Sequence, residues 1–130
     1  MGNWANATSQ GNAVGKTMSG QRTVFETASS YSINFFDPPY GEAGGSCSFI
    51  GVTDDKFADE TVTRGTIPGG KMTRIFIKEI RGTTRIVGAT VINDPAQVSP
   101  LTMAVKNKIN VAKYKDKLAD SSFDLSMITA

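Results

Sequence analysis

Residues 71–92, KMTRIFIKEIRGTTRIVGATVI, decide how this chain folds. β-Branched residues recur on both sides of Gly82, and such side chains favour a pleated, half-buried surface. The stretch predicts a long hairpin from Met72 to Ile80 and from Thr84 to Ile92, closed by Gly82 and Thr83 as a two-residue loop. In that register Arg74, Phe76, Lys78, Ile80, Arg85, Val87, Ala89 and Val91 share one face, and Ile75, Ile77, Ile86 and Ile92 lie on the other. Both faces carry apolar residues, so a helix is expected over one and a partner over the other.

Downstream, Ser99 suits an N-cap and Pro100 a first helical position, where its missing N–H costs nothing. Leu101, Val105, Ile109 and Ala112 then form one stripe, with Lys106, Asn110, Lys113 and Lys117 opposite, which predicts an amphipathic helix over residues 99–119. In the tail, 120–130, Ser121-Ser122-Phe123-Asp124-Leu125 could cap a short second helix. Upstream, Thr23–Thr27 and Tyr31–Phe35 alternate apolar and polar residues and suit a hairpin, and Ser46–Val52 and Thr61–Ile67 read as two more strands. Asp37-Pro38-Pro39-Tyr40-Gly41 stops strand pairing, because neither proline can donate to a ladder. The fold class expected is α+β: an antiparallel sheet of about five or six strands over residues 21–92 with one or two C-terminal helices, in one domain of 130 residues.

Residues 1–20 are rich in Gly, Asn, Ser and Thr and lack a hydrophobic core. They read as a polar arm ordered by neighbours, not as a secretory signal or an anchor. No apolar run approaches the roughly 20 residues of a membrane span. Cys47 is the single cysteine, which excludes an internal disulfide and leaves a small buried residue or a cross-link between subunits.

Charge is unevenly spread. Residues 71–118 hold ten Lys and Arg against Glu79, Asp94 and Asp116, whereas residues 1–70 hold four against seven acidic residues. A cationic segment in a nearly neutral protein points to a polyanionic partner.

Short stretches that look like chemistry do not complete a site. Residues 11–17, GNAVGKT, resemble a phosphate-binding loop, but Gln10 stands where its first glycine belongs and no buried strand precedes it. Asp37-Pro38-Pro39-Tyr40 looks like the catalytic tetrapeptide of adenine amino-methyltransferases, without that family's cofactor motif or enough chain for its doubly wound sheet. The protein has no histidine, the commonest general base and metal ligand. Asp54 to Glu60 lacks the alternating ligands and glycine of a calcium loop and reads as a solvated turn. No catalytic residue, metal or cofactor is expected.

The order of elements, several antiparallel strands, a long basic strand pair and then a C-terminal helix, resembles the coat proteins of single-stranded RNA bacteriophages. That resemblance implies a homodimer sharing its sheet, self-assembly into a shell, and a sheet face that binds genomic RNA in a virion assembled in the host cytoplasm. By layout Arg74, Lys78 and Arg85 become the RNA-facing cations, with Lys71 and Arg64 nearby. The expected protein is a structural one and no enzyme, its partners being RNA and copies of itself, with no membrane or small-molecule substrate. The alternative is a phage accessory subunit, a head decoration or tail tube without nucleic-acid binding. A small nucleic-acid-modifying enzyme using Asp37 and Tyr40 is a third reading.

Overall fold

A computed structural model describes residues 4–25, 28–35, 45–68 and 70–130. The Asp37–Gly41 motif lies outside the described residues. Helix α1 (Trp4–Met18) leads into five antiparallel strands: β1 (Ser30–Phe35), β2 (Gly45–Gly51), β3 (Glu60–Thr66), β4 (Lys71–Ile80) and β5 (Thr83–Ile92). Helix α2 (Val98–Lys106) and short 3-10 turns at Ala112–Lys117 and Leu125–Ile128 follow. The sheet order is β1-β2-β5-β4-β3. The α+β expectation of an antiparallel sheet with C-terminal helices therefore holds, with five strands.

The central hairpin forms where the sequence puts it, one residue out of phase. Ile80 pairs with Thr83 and Lys78 with Arg85, so Arg81 and Gly82 make the loop. Both have positive φ, 52° and 72°, the left-handed pair of a type I′ turn whose twist matches the strands. Glycine takes the second position, and Arg81 bears the left-handed backbone.

A bulge then overturns the expected faces. Phe76 pairs with Gly88 while Ile77 pairs with Ile86, which leaves Val87 as an extra residue in β5. One inserted residue exchanges the two faces of the strand beyond it. Ala89 and Val91, expected beside Arg74 and Phe76, instead join Ile50, Val62, Ile75, Ile77 and Ile86 in the core. The bulge is held from the neighbouring strand's exit: the Val52 N–H donates to the Val87 carbonyl at 3.0 Å. Here the chain runs so close to Gly88 that an added Cβ would overlap the Val52 carbonyl oxygen.

Over this face lie Leu101 and Ala104 of α2, then Val111, Leu118, Leu125 and Ile128, all buried. The helix expected over 99–119 ends at Lys106. Lys108 turns left-handed (φ 52°), and the N–H groups of Lys108 and Ile109 return to the carbonyls of Val105 and Ala104, a two-bond C-terminal cap. The chain beyond is drawn onto β5, where Val111 N–H donates to Thr84 at 2.8 Å and Asn110 bridges Arg85. Ser99 does not cap α2, which follows directly on a 3-10 turn at Pro95–Gln97. Asp124 does cap the last turn, accepting from the Ser126 N–H at 2.9 Å.

The N-terminal arm is corrected to a helix. Gly20 (φ 92°) closes α1, with Gly20 N–H bonded to Thr17 and Gln21 N–H to Lys16, so local capping supplies what a buried face does not. Ala13 is its one buried residue and Trp4 is 83% exposed. Residues 11–17 accordingly sit within the helix and form no phosphate loop. The expected strand at Thr23–Thr27 is also corrected: Thr23 to Phe25 are irregular, Thr23 being held by the Thr17 hydroxyl at 3.3 Å, and Glu26 and Thr27 lie outside the described residues. β1 pairs with β2 instead.

Gly88→Ala should cost about 2–3 kcal/mol through overpacking against Val52. Gly82→Ala, with open space around it, should cost about 1–2 kcal/mol from left-handed strain alone. Urea unfolding of both variants checks the ranking, and a Gly88→Ala protein as stable as wild type would remove the close crossing from the account.

Candidate functional site

Of the cations expected to line one face of the hairpin, Arg74 and Lys78 are individually engaged. Arg74 and Lys78 do lie on the same side of β4, and Lys78 stands opposite Arg85. The segment between β2 and β3 reaches across to them, with its 3-10 turn at Asp55–Phe57. Asp55 pairs with Arg74 at 3.2 Å, and Lys78 donates to the Phe57 carbonyl at 3.3 Å. Arg74 also sits 5.8 Å from the ring centroid of Phe76, which is 2% exposed. The acidic turn is solvated as expected, residues 54–57 all being exposed, while Asp55 and the Phe57 carbonyl also reach these cations. Arg85 is partly buried, and its Nε has no hydrogen-bond partner.

Arg64 and Lys71 meet at a different place. β3 and β4 pair with Arg64 opposite Thr73 and Thr66 opposite Lys71, which puts both cations at one corner of the sheet. Arg64 points to the helical side and is 6% exposed. Its Nη2 donates to the carbonyls of Ser121 at 3.0 Å and Phe123 at 2.8 Å, while its Nη1 is buried without a partner. A buried donor left unmet costs about 1–3 kcal/mol, more when it is charged. Burial lowers the Arg64 pKa, opposed by Asp94, Asp120 and Asp124, and an arginine stays charged through any such shift.

Beside Arg64 opens a cleft of about 450 Å³ lined also by Thr66, Lys71, Thr73, Asp94 and Gln97, within the size range of small-ligand sites. The Lys71 side chain is 65% exposed at its rim, with Nζ 4.0 Å from Asp94. Sequence reasoning named Arg64 and Lys71 but missed Asp94, Gln97 and Ser121. The four segments that build the cleft meet only through strand pairing and the return of the tail.

Other reactive groups are muted. Cys47 is a free, half-buried thiol whose pKa burial pushes up, so it stays protonated at neutral pH and is a weak nucleophile. Among the described residues no group of three His, Cys, Asp or Glu side chains could hold a metal ion. No described helix is long and apolar enough to cross a membrane.

No protein-family model and no curated protein matches the chain. A solved structure does: the ferredoxin reductase for the CYP199A2 system from Rhodopseudomonas palustris, with a TM-score of 0.66 and 18% identity over 95% of this chain. This chain spans 27% of that one, and at such identity the likeness speaks for the fold. It corrects the coat-protein reading. The architecture recurs inside an oxidoreductase, so the expected phage shell or accessory subunit, its RNA and self-assembly partners, and the expectation that the protein is no enzyme all give way. The layout of antiparallel strands followed by a helix is shared by unrelated folds, which is how it misled.

The tail over Arg64 should respond to acid. Asp120 is held below the usual carboxylate range by the Ser122 hydroxyl and N–H, and Asp124 by the Ser126 N–H, each helped by Arg64. A depressed carboxylate stabilises the fold above its ordinary pKa, and that stability is lost as pH falls through the folded value. Protection of tail amides from hydrogen exchange should therefore be level above about pH 5 and fall below about pH 4. In an Asp120→Asn, Asp124→Asn protein that pH dependence should shrink, and an unchanged acid profile would place the titration elsewhere.

Proposed function

We propose that this chain serves as a domain of an electron-transfer oxidoreductase system, presenting a basic surface to an acidic carrier protein. The observation that carries the reading is the fold, matched over 95% of the chain to part of a ferredoxin reductase, an enzyme whose name makes a carrier protein its partner. The basic surface is the hairpin end of the sheet. Arg81 is exposed in the β4–β5 turn, and the Asn110 bridge to Arg85 brings the segment after α2 alongside. Lys106 and Lys113 are exposed there, the latter with Nζ 4.6 Å from the Tyr114 ring centroid. By contrast Lys115 is neutralised by Glu60 at 2.6 Å. Complementary charge of this kind steers association and weakens with salt.

A [2Fe–2S] ferredoxin titrated into the purified chain and followed by calorimetry tests this. Binding is expected at about 50 mM salt and should weaken at least about tenfold at 500 mM. An Arg81→Glu, Lys113→Glu protein, folded as judged by its melting curve, should lose about tenfold in affinity, equivalent to about 1.4 kcal/mol. Absence of binding at the lower salt would overturn the proposal.

A further inference from the structure

The Arg64 cleft is separate from the hairpin end, and no residue of the basic surface lines it. Arg64, 6% exposed, with Nη2 satisfied by two carbonyls and Nη1 by nothing, borders a cavity open to solvent. A second cation, Lys71, stands at the rim. Bonding to the tail carbonyls accounts for Nη2 and leaves Nη1 as a buried donor whose burial costs stability. An anion in the cleft would lie against Arg64, and guanidinium with phosphate is among the strongest charge-assisted pairs.

The rest of the lining narrows the ligand. Arg64 and Lys71 would meet the nearly two negative charges of a phosphate monoester, against Asp94, which pairs with Lys71 at 4.0 Å, and Asp120 and Asp124, which lie near Arg64. Asp94 would repel a bare anion but accepts from hydroxyl groups, and Gln97, Thr66 and Thr73 can both donate and accept. We propose that the cleft binds a small phosphorylated polyol, its phosphate between Arg64 and Lys71 and its hydroxyls towards Asp94 and Gln97. The site is independent of the carrier-docking proposal, so either can fail alone.

Ribose 5-phosphate, ribose and inorganic phosphate serve as probes against the full chain, with calorimetry and thermal shift read at matched ionic strength. Ribose 5-phosphate should saturate and raise the melting temperature, inorganic phosphate should bind more weakly, and ribose should not register. Lys71→Met, at an exposed position that leaves the unliganded melting temperature unchanged, should weaken ribose 5-phosphate about tenfold. Asp94→Asn should narrow the preference for ribose 5-phosphate over phosphate, because it removes both the hydroxyl acceptor and the repulsion. Failure of ribose 5-phosphate to saturate by about 10 mM, weaker than any specific small-ligand site would need to be, would overturn the proposal. So would binding that Lys71→Met leaves intact.

Discussion

The hydrogen bond from Val52 N–H to the Val87 carbonyl holds the bulge on which the sheet depends. Without the extra residue, β5 would keep a single alternation from Thr83 to Ile92, and Ala89 and Val91 would face away from α2. With it, the near half of the strand sends Ile86 and the far half Ala89 and Val91 into one core. Gly88 is the steric condition for this, because the exit of β2 passes where a side chain would stand. The bulge, the crossing and the seating of α2 are thus one constraint seen from three elements.

Charge follows a similar logic of closure. Ten basic residues along 71–118 suggest a cationic face, but chain folding brings acidic partners from far away in sequence. Asp55 comes 19 residues back to Arg74, Glu60 meets Lys115, and Asp94 approaches Lys71. Arg81, Lys106 and Lys113 stay exposed towards the hairpin end, and the most deeply buried cation, Arg64, is held by backbone carbonyls of the tail. What looked like one polyanion surface is divided into an exposed patch and a cleft with different chemistry.

The structural likeness to a segment of a ferredoxin reductase fits this division. The likeness is one of fold, and the chain itself has no histidine and a half-buried Cys47 whose pKa burial pushes up. Function in a shared fold resides in the particular groups grafted on it, and the two proposals rest on Arg81 and Lys113 at one end of the sheet and Arg64 and Lys71 at the other.

The residues alone determined the five strands of the sheet and their type, because alternation and β-branching act over a few neighbours, although Thr23 to Phe25 alternate in the same way and stay irregular. Tyr31–Phe35, Ser46–Val52, Thr61–Ile67 and the long hairpin all appear within a residue or two of where the pattern puts them. They also marked Arg64 and Lys71 as charges of interest. The helix at Trp4–Met18 was legible in principle from Gly20 after Lys16, but its stability rests on capping bonds that hydrophobic pattern does not register. Only the tertiary structure decided which faces are buried and which cations are free. A bulge of one residue, a left-handed Lys108 and the meeting of residues 64, 71, 94 and 121 depend on contacts between segments distant in the chain, and such contacts leave no periodic trace in sequence.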